Sequence, residues 1–562
     1  MPQDAFHIRR LTAELNALLS GGKINRVSQV DKDELTFIIY TGKSTVKLIL
    51  STNASNARVC LSEVEKEPAA VPPNFCMLLR KHLIGAEILS IRQHEFERIV
   101  EIELRCTGDF SDCNRTLICE LMGKYSNIVL VENGRILGAL KTTSLDDSVK
   151  RILFSGATYE YPAPQDKISV FDGAGMRSLI ENYLSSRGGE ITDKDDFARF
   201  VFENVAGFAY PTVRALVELL GVGDFAENLA KACEELPCEP CVVYHGGEPT
   251  DFFAFPVSGG EKAPSLCKAE DEFYTYRERK KGFEDKRRKL ESAIRGLKKK
   301  QAKRVQDTFE RLREAENAEE NKIKGELLTA NLYRLEKGEK ECTLENWYEP
   351  DCPSITIRLD ESLSPQKNAQ RYFKAYNKQK RAKEILTPML ETERREMEYV
   401  ESVASSISLA ESAQDLKEIE TELIGLGLIR PPKEKIGGKR KEIETPFREY
   451  DFDGFRVLAG RNNLQNDRLV RAAAGTDIWL HTQKYHSSHV VIERNGREIP
   501  DEVLLKAAEV CAYYSDGRDG DKIPVDYCER RFVKKPSKSK AGFVIYTDYK
   551  TLLVKPNSHK NG

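Results

Sequence analysis

The segment 477–493, DIWLHTQKYHSSHVVIE, holds one of the two tryptophans and three of the eight histidines of the chain. Side chains of these types can ligate zinc, act as acids or bases, or stack on RNA bases. A zinc site needs three or four converging ligands, and the spacing of His481, His486 and His489 matches no standard signature. No carboxylate or cysteine lies in the loop between His481 and His489. The segment therefore predicts no metal site, and it leaves an RNA-reading surface or a plain β-hairpin.

Strand alternation in this segment places Asp477, Trp479 and His481 on one face. A tryptophan beside a histidine on an exposed strand can stack on RNA bases. The same spacing is also typical of ordinary core packing, which periodicity alone slightly favours, so both interpretations stay open.

No other motif predicts catalysis. The stretch CEELPCEPC at 233–241 contains one C-x-x-C without a second pair, which favours structural thiols over zinc. The chain lacks the phosphate-binding G-x-x-x-x-G-K-[ST], the dinucleotide-binding G-x-G-x-x-G after a strand, and the hydrolase G-x-S-x-G. We therefore expect no catalytic residues, no cofactor and no metal.

Charge is distributed unevenly along the 562 residues, although the formal net charge is only -2. Residues 277–304 carry fourteen basic and four acidic side chains, and residues 529–540, ERRFVKKPSKSK, carry six cations. Such runs are either solvated faces or contacts for phosphate. The second run, which includes Lys534 and Lys535, is the stronger candidate for phosphate contact.

The elements that must position these residues indicate an α+β multidomain chain. We expect a mixed α/β domain at 1–165, a helical module with a return to strands at 168–257, and an α/β domain at 447–557. Residues 431–446, rich in Pro, Gly and Lys, read as a linker.

Two long charged helices within 265–430 predict an antiparallel coiled-coil arm with a small tip domain at about 338–365. Leu390, Met397 and Ala404 recur every seven residues in the second helix. Pro388 is expected to kink or interrupt that helix. A coiled coil used only for oligomerisation is the alternative.

No apolar run approaches the roughly 18 residues that a membrane span requires. The charged N-terminal sequence is unlike a signal peptide. The thirteen cysteines form no disulfide framework, so a cytoplasmic protein without membrane contact is expected.

Many segments, in order, resemble the NFACT family. The C-terminal RNA-binding domain of that family is similar to GRNNLQNDRLV, DIWLHTQKYHSSHVVI, VDYCERRFVKKP and GFVIYTDYKTLLVKP. Its N-terminal domain is similar to GGKINRV, STNASNARVCL, PPNFCMLLRKHL, ELMGKYSNIVLVE and YEYPAPQ, and its arm to KGELLTANLYRLEKG and LSPQKNAQRYFKAYNK.

The resemblance implies a ribosome-associated quality-control factor rather than an enzyme. Members bind large ribosomal subunits obstructed by peptidyl-tRNA, recruit tRNA, in bacteria mainly alanyl-tRNA, and support alanine tailing of the nascent chain. The ribosome forms the peptide bond, and the arm reaches the stalk base and its rRNA. Two alternatives are a ribosome- or tRNA-binding factor without tailing and a fibronectin-binding surface adhesin, which the missing signal peptide argues against.

The resemblance also implies site residues. The family uses an Asp-Arg pair for tRNA handling, and the matching positions here are Glu97 and Arg98. The family reads Pro-Gly-Ser-His where this chain has His486-Ser487-Ser488-His489, so Ser488 and His489 match but Pro and Gly are lost. The RNA-binding candidates are Arg461, Asn462, Asn463, Asp477, Trp479, His481, Ser488, His489, Lys534 and Lys535.

Overall fold

The structure, a computed structural model, describes residues 3–66, 68–69, 71–107, 112–143, 151–187, 190–191, 193–431, 445–537 and 539–559. The chain divides into two compact units, with the boundary between residues 280 and 281. It is a mixed α+β, multidomain protein, as predicted. None of its described helices is long and apolar enough to cross a membrane. Most of the predicted linker, residues 432–444, lies outside the described residues.

An antiparallel sheet of nine strands forms the base of the first unit, in the order β4-β3-β2-β1-β5-β6-β7-β8-β9. Its strands are β1 Lys23–Asp31, β2 Glu34–Tyr40, β3 Thr45–Ser51, β4 Arg58–Leu61, β5 Glu87–Gln93, β6 Ile99–Cys106, β7 Cys113–Glu120, β8 Asn127–Glu132 and β9 Arg135–Ala139.

Helices α1 Ala5–Leu19 and α2 Asn74–Leu83 cover one face of this sheet. The α1 residues Ile8, Leu11, Leu15 and Leu19 recur every three or four positions, so they form one buried stripe. The opposite face is covered near β6–β8 by the segment that contains Leu153 and Tyr159. Both faces are therefore buried there, which explains the apolar runs in these strands.

The helical module follows in the same unit. It contains α3 Gly173–Ser186, α4 Lys194–Asn204, α5 Tyr210–Leu220 and α6 Phe225–Glu235, and then a sheet of β10 Cys241–His245, β11 Glu248–Phe253 and β12 Gly260–Lys262. Gly207 has a φ of 91°, and a Cβ there would meet the ring of Phe96 at 2.7 Å. A glycine is therefore required where this module contacts the β5–β6 turn.

Long helices dominate the first half of the second unit. Helix α7 Leu266–Glu316 enters it from the first unit, and α8 Ala318–Ala330, β13 Glu341–Glu345, β14 Ser354–Arg358, α9 Pro365–Ser408 and α10 Ala413–Gly425 follow. Gln301 donates a hydrogen bond to the carbonyl of Glu393 at 3.0 Å, and Asn321 donates one to Gln379 at 2.7 Å. Residue numbers thus rise along α7 and α8 as they fall along α9, so the packing is antiparallel.

Helix α9 is continuous from Pro365 to Ser408, so the predicted interruption at Pro388 is wrong, while a kink there stays a prediction. A proline removes one backbone hydrogen bond. Leu386 and Leu390 on either side are buried, and Thr392 donates to the carbonyl of Pro388 at 2.9 Å. The missing bond is the one from position 388 to the carbonyl of Glu384, and burial of Leu386 and Leu390 favours the helix on both sides of it.

The C-terminal domain is a six-stranded sheet in the order β15-β16-β18-β17-β19-β22. Helix α12 packs on one face, and α11 lies on the other. The elements are β15 Arg448–Phe452, β16 Phe455–Ala459, α11 Asn463–Ala472, β17 Ile478–Thr482, β18 Val490–Ile492, α12 Asp501–Tyr513, β19 Ile523–Glu529, β20 Val533–Lys534, β21 Ile545–Tyr546 and β22 Lys550–Val554.

Candidate functional site

Four aromatic rings meet on the α11 face of the C-terminal sheet. Trp479 and His481 lie two residues apart on β17, so both leave the same face, and their rings are parallel with centroids 5.7 Å apart. The ring of His489 is perpendicular to both, at 5.3 Å from Trp479 and 5.2 Å from His481. Tyr546 lies 4.8 Å from Trp479. We call these four residues the aromatic cluster.

The histidines of this cluster are held neutral. Burial lowers the pKa of His481 to about 4, and burial together with neighbouring His481 lowers the pKa of His489 well below its ordinary value. Nδ1 of His489 and Nε1 of Trp479 are buried without a hydrogen-bond partner in the described part of the chain. The cluster is therefore polar but uncharged at physiological pH.

Trp479 is completely buried, so it offers no ring face to an RNA base and the stacking expectation is wrong for this residue. Its ring is enclosed by the rest of the aromatic cluster and by apolar residues such as Val491 and Cys528. Within the described ranges, no group of three or more His, Cys, Asp and Glu side chains is placed to hold a metal ion.

A cleft of about 950 Å³ opens beside the aromatic cluster, between α9 and the loops of the C-terminal domain. His481 and His489 line it, and so do Arg461, Asn462, Asn463 and Ser488. The cleft therefore brings six of the predicted RNA-binding residues to one place.

Several lining residues were not predicted from the sequence. Tyr485 and Phe543 are 40% and 42% exposed, and Lys484, Lys540 and Arg395 add positive charge. The lining also contains two acids and seven serines, namely Glu396, Glu398, Ser402, Ser405, Ser406, Ser487, Ser488, Ser537 and Ser539. Aromatic faces, hydroxyls and an excess of cations are the groups that bind single-stranded RNA. Lys484 and Tyr485 fall within the segment 477–493 and Lys540 ends the basic run at 529–540, so these two stretches were the sequence signals for part of this lining.

The residues of the GRNN motif join the C-terminal domain to the arm helices. Asn462 caps α11 and donates to Glu418 of α10 at 2.7 Å. Asn463 donates to Ser402 of α9 at 3.0 Å, and Arg461 pairs with the buried Asp415 at 3.6 Å. Asn462 and Asn463 are buried and occupied by protein partners, contrary to the RNA-contacting role expected for them.

Asp477 and Ser488 also have structural partners. The Asp477 carboxylate accepts hydrogen bonds from the backbone of Ala474 at 2.8 Å and of Arg494 at 3.0 Å. The backbone N–H of Ser488 donates to the backbone carbonyl of Tyr514 at 2.9 Å. Both Asp477 and Ser488 are buried. Asp477 therefore holds a turn and does not face solvent.

The two adjacent lysines of the basic run differ in their surroundings. Lys535 forms an ion pair with the buried carboxylate of Asp467, which also accepts from the backbone of Gly542 at 2.9 Å. Lys534, on β20, is exposed and forms no ion pair with any described residue. Of the pair, Lys534 is the one available to phosphate.

In the first unit, Glu97 and Arg98 follow the tight turn between β5 and β6. Glu95 adopts a left-handed conformation with a φ of 48°, and Gln93 donates to the carbonyl of Glu97 at 2.8 Å. The backbone of Leu121 donates to the carbonyl of Arg98 at 2.9 Å. Burial raises the pKa of Glu97, which is half-buried, and the charge of Arg98 opposes that rise.

The side chains of Arg92, His94, Glu101 and Tyr161 contact one another beside this turn. The ring of His94 stacks on that of Tyr161 with centroids 3.6 Å apart. The Tyr161 hydroxyl donates to the buried carboxylate of Glu101, which also pairs with Arg92 at 2.7 Å. Sequence reasoning missed this group, because YEYPAPQ entered only as a segment similar to the family's N-terminal domain and nothing in it marks Tyr161 as a neighbour of His94.

Comparison with known proteins identifies two regions of one family in the chain. Residues 4–442 match NFACT N-terminal and middle domains, and residues 447–546 match the NFACT protein RNA binding domain. Over 99% of its length the chain is 33% identical to 98% of a Bacillus subtilis protein named Rqc2 homolog RqcH. It is 32% identical over its full length to 99% of the Rqc2 homolog RqcH of Streptococcus pneumoniae strain D39.

A eukaryotic relative matches over a shorter stretch. The human ribosome quality control complex subunit NEMF is 33% identical over 22% of this chain and 11% of its own. The resemblance inferred from the sequence motifs is confirmed. The chain therefore belongs to the NFACT family and is homologous to bacterial and eukaryotic ribosome quality-control factors.

Proposed function

We propose that this protein is a ribosome-associated quality-control factor. It binds large ribosomal subunits obstructed by peptidyl-tRNA, recruits alanyl-tRNA and promotes template-free C-terminal alanine tailing of the stalled chain. The observation that carries the proposal is the match of both NFACT regions, in order, over nearly the whole chain, together with full-length relatives named for this process. The ribosome forms the peptide bond, and this protein brings and holds the tRNA.

The arm has a bridging role in this proposal. Helices α7 and α8 pair with α9 as an antiparallel coiled coil, and the β13–β14 hairpin forms its tip. The hydrogen bonds Gln301–Glu393 and Asn321–Gln379 support the pairing. At 1.5 Å per residue, the 51 residues of α7 extend over roughly 77 Å. That reach suits contact with the stalk base of the large subunit while the end domains hold tRNA.

Glu97 and Arg98 are the proposed tRNA contacts of the first unit. An arginine can bind a phosphate or a base edge in a bidentate manner. Glu97 stays close enough to Arg98 to interact with its charge, and its half-buried carboxylate restricts the conformations of the turn.

The C-terminal domain contacts RNA through the cleft and Lys534. His481, Tyr485 and Phe543 supply ring faces, and Lys484 and Lys540 supply charge. The rings of Trp479 and His489 pack against the ring of His481 and fix its position. RNA fits this surface better than a protein ligand does, because stacking groups and cations are interleaved.

A factor that binds the subunit and tRNA but does not tail is the second candidate. The observation that favours it is Glu97, which is one methylene longer than the aspartate of the family pair. A longer side chain places the carboxylate differently relative to Arg98, and tRNA positioning depends on that geometry.

The proposal is tested by purifying the tagged protein from its own cells after translation has been stalled. We expect co-purification of large subunits that carry peptidyl-tRNA, together with alanyl-tRNA. Recovery of the protein at the cell surface, without ribosomal RNA, would refute the proposal and favour an adhesin.

A further inference from the structure

The second unit contains a block of positive charge that includes none of the residues proposed above to contact tRNA or RNA. Between residues 292 and 306 helix α7 has no acidic side chain. Six exposed cations on or next to this stretch form no ion pair with any described residue: Lys289, Arg295, Lys299, Lys300, Lys303 and Arg304. We call these six residues the α7 basic face.

The basic face lies on the side of α7 that no other helix covers. The packed seam contains the buried residues Leu290, Ile294 and Gln301. With 3.6 residues per turn, Arg295 and Lys299 point away from that seam. The packing of α7 against the other helices therefore does not explain why these positions are cationic.

The neighbouring helix carries the opposite charge at the same level. Lys298 pairs with Glu401 at 2.9 Å and Gln301 bonds to the carbonyl of Glu393, so the α9 stretch 391–401 lies beside the basic stretch. That stretch contains five glutamates and two arginines. The cations therefore lie mainly on the α7 side of the helix pair and the glutamates on the α9 side. A surface that served only solubility would intersperse the two signs of charge.

The surface chemistry distinguishes between classes of partner. A helix that binds a lipid surface needs an apolar stripe beside its cations. Along the described stretch of α7 from Lys289 to Arg304 no large hydrophobic side chain is exposed, and the first exposed one after the basic face is Phe309, at 44%. A surface made of cations alone fits a phosphate backbone, which is read by charge and spacing rather than by apolar contact.

From these observations we infer that the α7 basic face binds the phosphate backbone of double-stranded RNA. Arg295 and Lys303 are eight residues apart, and Lys289 and Arg304 extend the row to about 22 Å along the helix axis. That length meets several consecutive phosphates of a helical strand. The inference deepens the proposed function by giving large-subunit binding a second RNA contact, in the middle of the arm.

The contact predicts a specific dependence on salt. Each phosphate contact releases condensed counterions, so removing a contact lowers both the affinity and the slope of log K against log[salt]. The test variant is the full chain with Lys299→Gln, Lys300→Gln and Lys303→Gln. The matched control is Lys194→Gln, Lys231→Gln and Lys262→Gln, three scattered lysines that are exposed and have no ion pair with a described residue.

Affinity for a short RNA duplex, for free tRNA and for purified large subunits is measured over a range of KCl concentrations. We expect the test variant to bind the duplex roughly tenfold or more weakly at low salt, with a slope smaller by about 2, while the control binds like the wild type. If the test variant loses affinity for large subunits, the natural ligand of the α7 basic face is ribosomal RNA. If it loses affinity for free tRNA alone, the natural ligand is tRNA.

Equal duplex affinity and slope in the test variant, the control and the wild type would overturn the inference. So would a loss on large subunits without a change in salt slope, because that result indicates a protein partner. Circular dichroism of the variants excludes unfolding as the cause. The duplex measurement does not depend on the proposed function. If the wild type binds the duplex but does not bind large subunits, the proposed function is wrong while this inference stands.

Discussion

The hydroxyl of Tyr399 donates a hydrogen bond of 2.6 Å to the carboxylate of Glu422, where α9, α10 and the C-terminal domain meet. Burial raises the pKa of Glu422 to about 7, and the charge of Asp467 adds to this rise. The bond to Tyr399, a hydrogen bond to Asn463 and the charge of Lys535 oppose it. The Glu422 carboxyl therefore keeps its proton to a higher pH than an ordinary glutamate does.

This carboxyl makes the stability of the second unit depend on pH. Because its pKa in the folded state lies above the ordinary value of 4.5, its contribution is fully present below about pH 4.5 and is lost as the pH rises through 7. We expect the wild type to lose up to about 3 kcal/mol over that range relative to Glu422→Gln, which does not titrate. Urea unfolding of both proteins at a series of pH values measures the difference. Parallel pH profiles would show that Glu422 does not titrate in this range.

Lys534 and Lys535 give a matched pair of substitutions. Lys535→Ala leaves the buried carboxylate of Asp467 without its cation, so we expect a loss of about 1 kcal/mol in stability. Lys534→Ala removes an exposed charge and should leave stability unchanged while weakening RNA binding and reducing its salt slope by about 1. Thermal unfolding and RNA titration of both variants make the comparison. Equal effects on RNA binding with no difference in stability would contradict these assignments.

Substitutions at Trp479 and Tyr485 distinguish a residue needed for stability from a residue exposed in the cleft. Trp479→Ala opens a cavity in the buried cluster and should cost about 3–5 kcal/mol, so the C-terminal domain loses its cooperative unfolding. Tyr485 is 40% exposed, and Tyr485→Ala should reduce affinity for single-stranded RNA with little change in unfolding temperature. If Tyr485→Ala binds single-stranded RNA like the wild type, the cleft is not a stacking site.

Local periodicity predicted many elements well and tertiary roles poorly. The stretch NFCMLLRKHL is amphipathic and coincides with α2, and the apolar runs ELTFIIY and NIVLV coincide with β2 and β8. Helix α11 was not predicted, because its buried face is made largely of Asn463, Gln465 and Asn466, which bond to other elements. Polar residues buried through hydrogen bonds leave no hydrophobic period to read.

The candidate site shows the same limit. The sequence marked residues 477–493 and the family motifs, but it did not distinguish Lys534 from Lys535, since only the distant Asp467 sets them apart. The cleft joins α9 to loops that are distant from it in the chain, so no local pattern reveals Tyr485 and Lys540 as neighbours of α9.

The Glu97–Arg98 pair yields a prediction about tailing. Arg98→Ala should abolish alanine addition while binding to large subunits stays largely intact, because the arm and the C-terminal domain still make their contacts. Glu97→Asp recreates the family pair and should support tailing at least as well as the wild type. The two variants are compared by subunit co-sedimentation and by the length of tails on a stalled reporter. Loss of both binding and tailing in Arg98→Ala would instead indicate a structural role for Arg98.

Mass spectrometry of nascent chains isolated on obstructed large subunits, from cells with and without this protein, decides whether the protein promotes tailing. We expect chains extended at the C-terminus by alanine residues only when the protein is present. Chains that end at the stall site in both samples would contradict tailing, and equal alanine tails in both would show that another factor adds them.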